Sequence, residues 1–225
     1  MNVVYSGTRN LYPAMDGAIR SLLAYNTEAK VYVMAEDDEL PLDLPVSVIN
    51  MSGQKYFTGT CPNMRNQFTY MAMIRACTAD IIPEDKVIQL DVDTIVCDSL
   101  EPLWETDLTG KWLGWCPEYQ GSYRPFRKAY YNFGVAVMNL KRMREYGVPK
   151  LLADELNRHF YQYIDQDVMN LYAVPDKCVD IPVRYNECFC CGTTSNPAIV
   201  HYAGYPDWYE SKFVPRWEYK ERWKQ

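Results

Sequence analysis

The sequence predicts an α/β fold, a mostly parallel central sheet flanked by helices. Strand-like and helix-like segments alternate along the chain, which in a parallel sheet places a helix on each crossover. One strand candidate is an almost continuous apolar run, as expected of a sheet covered on both faces. The 225 residues, 48% of them hydrophobic, can bury a sizeable core, and no repeat or low-complexity linker divides them. The chain therefore reads as a single domain over 1–225, with 208–225 as an aromatic and basic tail.

The pattern opens with a short strand over about 2–6. Ala14, Ala18, Leu22 and Leu23 then recur at helical spacing between about 13 and 26. Strands over about 30–35 and 45–50 follow, then a helix over about 63–79. After Trp104 come a strand near 111–116, a polar aromatic loop over about 117–130 and the apolar strand 133–138. Helices are expected over about 141–159 and 165–172, and short strands near 178–182 and 197–201.

The net charge of −6 and a pI near 5.0 argue against a nucleic-acid binder, which needs an excess of Lys and Arg to neutralise phosphates. The first residues lack a basic start with a long apolar core, and no window reaches 18 uninterrupted apolar residues. These features give the expectation of a soluble, unexported, cytoplasmic protein. Cys61, Cys77, Cys97 and Cys116 fall in core elements, where a thiol acts as a small hydrophobe. Cys178 and the denser Cys188-Phe189-Cys190-Cys191 lack the paired Cys-x-x-Cys spacing of common zinc sites, so reduced thiols are expected there too.

The chemistry concentrates at Val87-Ile88-Gln89-Leu90-Asp91-Val92-Asp93-Thr94-Ile95-Val96, where two carboxylates lie one residue apart in an apolar strand. In open α/β sheets ligands bind beyond the carboxyl ends of the strands, where these acids fall. Unpaired carboxylates are costly there, and oxygen ligands suit Mg²⁺ or Mn²⁺ holding a phosphate. Taken alone, an Asp-x-Asp is equally a solvated turn. Asn132 precedes an apolar strand, Asp165-Gln166-Asp167 opens a helix, and His201 follows Ala198-Ile199-Val200. Each has a bland reading: a turn residue for Asn132, an N-cap for Asp165 or Asp167, a satisfied core histidine for His201, and a surface helix residue for Arg75.

Together these residues resemble glycosyltransferase family 8, retaining enzymes of the GT-A fold that include lipopolysaccharide galactosyltransferases and glycogenin. The resemblance runs from about 3 to 208. Its blocks are Ile74-Arg75 through Ile82-Pro83 to Asp91-Val92-Asp93; Tyr131-Asn132-Phe133-Gly134 through Met138-Asn139-Leu140; Asp165-Gln166-Asp167-Val168-Met169-Asn170; and His201-Tyr202-Ala203-Gly204. It implies that Asp91, Asp93 and His201 hold Mn²⁺, which grips the diphosphate of a uridine-diphosphate sugar, with Val92 and Gly204 as further donor contacts. An imidazole among oxygen ligands tilts the preference from Mg²⁺ to Mn²⁺. The resemblance further implies that Arg75 reaches the donor sugar or Asp93, that Asn132 and Asp165 meet sugar hydroxyls, and that Gln166 lies beside the anomeric carbon. No acid occupies the Gln166 position. Same-face attack is therefore expected, with the departing phosphate taking the acceptor's proton and Asp165 the alternative nucleophile.

Two departures from the family pattern stand out. The first strand leads into Ser6-Gly7-Thr8-Arg9-Asn10-Leu11-Tyr12, without the usual acid before Asn. Thr8 and Asn10 could contact the base and ribose, and Tyr12 could stack on the base. The terminal block continues Tyr205-Pro206-Asp207-Trp208 where the family has a Lys, and Lys212 could compensate if the loop turns back. Two other readings stand beside the transferase: a haloacid-dehalogenase-type phosphotransferase using Asp91 and Asp93, and a degenerate sugar-nucleotide binder.

The acceptor is expected to be a saccharide or another hydroxyl. The ring-rich loop with Tyr119, Tyr123, Phe126, Tyr130 and Tyr131 either lines its cleft or joins the core. The tail 208–225 interleaves rings with Lys and Arg. Packing back on the domain is expected of it, ahead of peripheral contact with the inner face of a membrane.

Overall fold

The computed structural model describes residues 1–119, 129–205 and 207–224. Strand β1 (Asn2–Ser6) leads into helix α1 (Tyr12–Tyr25), where Pro13 sits in the first turn and has no hydrogen bond to lose. Strands β2 (Lys30–Ala35) and β3 (Val46–Asn50) extend the sheet in parallel.

A continuous helix over 63–79 is not formed. The segment contains a 3₁₀ turn at Pro62–Arg65, α2 (Tyr70–Ile74), a second 3₁₀ turn at Arg75–Cys77 and α3 (Thr78–Ile81). Side-chain hydrogen bonding explains the interruption. Asn63 Nδ2 donates to the carbonyls of Leu156 and His159, at 2.7 and 2.8 Å, and Asn66 Nδ2 donates to that of Tyr161 at 2.7 Å. These bonds fasten the segment to a distant part of the chain, which a regular helix could not reach.

Next come β4 (Lys86–Leu90), β5 (Thr94–Val96), α4 (Glu101–Trp104), β6 (Leu113–Pro117) and β7 (Tyr131–Asn139). The predicted helix over 141–159 is two: α5 (Leu140–Glu145) and α6 (Val148–Arg158). Gly147 between them has φ +62°, and Pro149 has no N–H with which to continue α5. The chain finishes with α7 (Ile164–Ala173), β8 (Cys178–Asp180), β9 (Ile199–His201) and α8 (Trp217–Glu221).

The seven-stranded sheet has the order β3-β2-β1-β4-β7-β6-β8. Its pairings are parallel except those of β7 with β4 and β6, so the expected α/β class and mostly parallel sheet hold, with β7 as an antiparallel insertion. One face packs Trp115, Phe133, Met138 and their neighbours beneath α2, α3 and α5 to α7. The other packs Val3, Tyr5, Ile88 and Val135 beneath α1.

The tail folds back. Trp208 stacks on Tyr202 with centroids 5.1 Å apart, and both join Ala14, Ile95, Val200 and Val214 in a small cluster. Lys220 is buried there and donates to the carbonyls of Trp208 (2.6 Å) and Ser211. Among the described residues no helix is long and apolar enough to cross a membrane.

The ring-rich loop divides. Tyr123 and Phe126 lie outside the described residues. Tyr131 is core, stacked on Trp115 at 5.1 Å, Tyr130 is buried, and Tyr119 is exposed. Buried Tyr130 and Tyr131 do not offer their faces to an acceptor.

Candidate active site

The sheet places the acids and β9 places the imidazole. Beyond β4 the backbone N–H of Asp91 donates to the Gly134 carbonyl on β7 (2.8 Å), fixing the point where the strand leaves the sheet. The chain then turns into β5, which pairs with β9 in the register Thr94↔His201. A two-stranded ladder thus sets His201 beside Asp93, although 108 positions separate them in sequence (201 − 93). His201 Nε2 lies 3.3 Å from Asp93 Oδ1 and 3.6 Å from Asp91 Oδ2. One ligand atom from each of the three residues falls within 4.8 Å of the others.

The imidazole is held from its other side. Its Nδ1 lies 2.8 Å from Asn186 Oδ1, an oxygen that only accepts, so the proton sits on Nδ1 and Nε2 faces the carboxylates. The ring turns its Cε1 edge toward Gly134. A Cβ there would come 2.7 Å from both ring nitrogens and closer still to Cε1, so only glycine admits the ring. Burial alone would discharge the imidazole, but the Asp93 charge wins and holds its pKa well above the usual histidine value. The Asp91 and Asp93 carboxylates both approach the buried ring at its Nε2.

Arg75 is buried, and its ion pairs are with Asp91 and Asp165. It pairs with Asp91, lies 2.8 Å from Asp165 Oδ2 and donates to the Phe133 carbonyl at 3.1 Å. Asp93 is not its partner, and it is not a surface residue. Asp165 does not cap its helix: Tyr163 occupies the N-cap position and Asp165 points inward to Arg75. Burial drives the Asp165 carboxyl up, to about 7, against the pull of Arg75. Burial likewise raises Asp91, with Arg75 opposing. Asp167 instead takes the helix-start role, accepting the Tyr163 backbone N–H at 2.9 Å and the Tyr130 hydroxyl at 2.5 Å.

A chain of amides joins the acids to α7. Asn132 Oδ1 accepts from Gly134 N (3.0 Å) and Asn186 Nδ2 (2.9 Å), while its own Nδ2 donates to Glu118 Oε1 at 3.3 Å. The same Glu118 oxygen accepts from Gln166 Nε2 at 3.2 Å, and Gln166 Oε1 accepts the Phe133 N–H at 2.9 Å. Burial raises the Glu118 carboxyl above the ordinary range. Gly134, Asn186 and Glu118 were assigned no part by sequence reasoning. Gly134 was visible in the Asn-x-Gly block, but its purpose depends on a ring arriving from β9.

At the other end of the site, Thr8 Oγ1 donates to Asn10 Oδ1 (2.6 Å) at the exposed end of β1. Tyr12 is buried, with its hydroxyl bonded to Asp37 (3.0 Å) and to the Glu36 backbone N–H (3.1 Å), so its ring is not free to stack on a base. A cavity of about 270 Å³ opens next to it, lined by Arg9, Glu36, Ser52, Gln54, Met64 and Tyr70. Glu36, just past β2, is the acid in that lining. Val92 is nearly buried under the acid turn, and Gly204 adopts φ +81°. Lys212 is exposed, and the cavity beside His201 is lined by Arg216, which pairs with the buried Glu187. Among the described residues Arg216 is the cation that lines this cavity.

The fold and sequence both have known counterparts. The galactosyltransferase LgtC, in a structure holding donor and acceptor sugar analogs, superposes with a TM-score of 0.76 at 23% identity, covering 100% of this chain and 95% of that one. The glycosyltransferase GlyE of Streptococcus pneumoniae TIGR4 superposes with a TM-score of 0.74 at 21% identity, over 99% of this chain and 59% of GlyE. These likenesses establish the GT-A-type fold. In sequence, GlyD of Streptococcus pneumoniae is 27% identical over 163 residues, 68% of this chain. The chain spans only 19% of GlyD and 58% of GlyF from the same organism, so it is shorter than the curated relatives it matches. The model of glycosyl transferase family 8 matches residues 2–208 without a break, taking in the paired aspartates, the Asn-x-Gly strand and the late imidazole, and the chain belongs to that family.

Proposed function

We propose that this chain moves a hexose from a nucleotide-diphosphate sugar to a hydroxyl of an acceptor saccharide, retaining the anomeric configuration, with Mn²⁺ as its divalent cation and Mg²⁺ as the alternative. The carrying observation is the convergence of Asp91, Asp93 and His201 beyond the carboxyl end of β4. The residues fit such an ion. Two carboxylates and an imidazole nitrogen, which would give up its proton to the incoming ion, form a mixed oxygen and nitrogen donor set, and Gly134 and Asn186 fix the ring. The donor and acceptor analogs bound to LgtC, in the same fold, support the two-substrate reading.

Asp91, Asp93 and His201 Nε2 would hold the ion, which when bound offsets the negative charge that collects on a departing diphosphate. Val92 and Gly204 would approach the diphosphate through their backbones. Thr8 and Asn10, with Glu36 across the adjoining cavity, would meet the nucleoside. Arg75 acts as a positioning residue, clamping Asp91 and Asp165 in place. Asn132 would meet a sugar hydroxyl, and Gln166 would stand beside the anomeric carbon.

The acceptor oxygen attacks that carbon on the face the phosphate is leaving. One carbon–oxygen bond forms as the other breaks, and the acceptor's proton passes to the phosphate oxygen. Gln166 carries no carboxylate, and the Asp165 carboxylate is committed to Arg75, which favours this route over a covalent intermediate. The family assignment sets aside the phosphotransferase alternative.

The test is a panel of nucleotide-sugars with Mn²⁺, following release of nucleoside diphosphate and the anomeric configuration of the product by NMR. Retention is expected, and Asp93→Asn should lower kcat/KM by about 10³-fold, the scale of several kcal/mol of charge stabilisation. An inverted product or metal-independent turnover would refute the reading. Metal-dependent binding with no turnover would leave a sugar-nucleotide binder.

A further inference from the structure

A second group of ligand atoms lies close to the acids. Cys188, Cys190 and Cys191 bring their three Sγ atoms within 4.8 Å of one another, and the Sγ atoms of Cys188 and Cys190 are 3.5 Å apart. Cys178, grouped with them on sequence density, lies away on β8.

The convergence is built by the backbone. Residues 188–192 form a tight turn in which Gly192 N–H donates to the Cys188 carbonyl at 2.9 Å, and Gly192 has φ +109°, which a side chain would strain. Tyr119 lies over the turn: its N–H donates to the Cys190 carbonyl at 2.8 Å, and its ring would meet a Cβ on Gly192 at 3.2 Å. The loop is fastened from outside and presents its sulfurs inward. Structural thiols usually disperse into apolar packing as small hydrophobes. These three face each other.

We propose that Cys188, Cys190 and Cys191 bind one thiophilic divalent cation of the Zn²⁺ class, through a ligand set of its own that adjoins the aspartate–histidine site where Cys188 and His201 line one cavity, and independent of the donor reading. Zinc takes thiolate sulfur at about 2.3 Å, so two sulfurs of a tetrahedral site lie about 3.8 Å apart. The observed separations need shifts of only about an ångström to meet that. Three cysteines leave a fourth position for water or for the buried carboxylate of Glu118, which shares Asn132 Nδ2 with Cys190 Sγ. An outer contact of the right sense is present, since Asn132 Nδ2 lies 3.7 Å from Cys190 Sγ and can donate to a thiolate there. Access is present as well, since Cys188 lines a cavity of about 150 Å³ together with His201, Tyr205 and Arg216. The Cys-x-Cys-Cys spacing departs from the paired zinc pattern, which is why the sequence alone did not point here.

The experiment uses the full chain, reduced and stripped by a chelator, then titrated with Zn²⁺ and, in parallel, Co²⁺. Bound Zn²⁺ should slow the alkylation of Cys190, the partly exposed thiol of the three, relative to the metal-free chain, read by peptide mass spectrometry, while partly exposed Cys97 reacts alike with and without the ion. Co²⁺ should give a thiolate-to-metal charge-transfer band in the near ultraviolet. That band should persist in Asp93→Asn, which removes a ligand of the other site, and should be lost in Cys190→Ser. Cys190 is the partly exposed member of the three, so its replacement is the one least disruptive to folding; the protection pattern in the unaltered chain decides the matter even where a variant does not fold. Absence of the band, alkylation of Cys190 unslowed by Zn²⁺, a band lost in Asp93→Asn and kept in Cys190→Ser, or a Cys188–Cys190 disulfide in place of bound metal would each overturn the proposal.

Discussion

At the scale of single residues, the geometry of the proposed ion site rests on a hydrogen atom. Gly134 sits mid-strand on β7, its carbonyl bonded to the Asp91 N–H and its own N–H bonded to Asn132, so its backbone has little room to retreat. Gly134→Ala must therefore push the His201 ring out of place. Outer residues that orient a metal-bound histidine are worth roughly 10–100-fold in metal affinity, and a direct overlap should reach at least the upper end of that range. Titration calorimetry with Mn²⁺ checks this, with wild-type affinity in Gly134→Ala as the contrary result. Asn186→Ala, which removes the acceptor for Nδ1, should cost roughly 10–100-fold in the same measurement. Asp91, Asp93 and His201 were legible in the sequence because each closes an apolar strand, and the strand's end is where the chain meets ligands. Asn186 and Glu118 were not, because they lie in segments without a periodic signal and acquire their roles from partners 15 and 14 positions away or more.

At the scale of elements, the strands were read closely and the helices less so. A strand such as β4 or β7 announces itself by a run of buried apolar residues, whereas helical spacing continues through a break when both sides keep their apolar faces. The split of α5 from α6 is such a case. Gly147 there takes a left-handed conformation with open space around its Cβ position, so Gly147→Ala introduces strain without a clash. It should lower stability by about 1–2 kcal/mol, and urea denaturation checks this against the unaltered chain. Helices α6 and α7 are joined by Glu155, which accepts from the Tyr161 hydroxyl at 2.6 Å and the Tyr172 hydroxyl at 2.8 Å. The Tyr161 hydrogen bond does most to hold the carboxyl below its ordinary range. A depressed folded-state pKa means that the contribution is fully present above the unfolded value and fades as pH falls through the folded one. Melting temperature should thus drop more steeply between about pH 5 and 3 in the wild type than in Glu155→Gln, which keeps the shape and loses the titration. Parallel slopes for the two would show that the carboxylate adds nothing.

At the scale of the whole molecule, the candidate site joins parts that fold locally into something none contains alone. β4 gives the acids, β9 the imidazole, α7 the carboxylate and amide, and the 3₁₀ turn after α2 the guanidinium. Near one another lie Asp91, Asp93 and Asp165, offset by Arg75 and by the proton that Asp93 keeps on His201, so the assembled site has no surplus positive charge with which to hold a diphosphate. A site of this kind should be held back until a cation arrives, and a diphosphate should bind only after it. Mn²⁺ alone should raise the melting temperature, a nucleoside diphosphate alone should not, and the two together should raise it most. With the diphosphate at 100 times its Kd, linkage adds about 2.7 kcal/mol, which for a chain of this size is a further shift of roughly 5–10 °C. Asp93→Asn should abolish the diphosphate's share and keep the fold. A diphosphate that stabilises the chain equally with and without metal would mean that local cations such as Arg216 hold the phosphates, and the paired aspartates would then need another purpose.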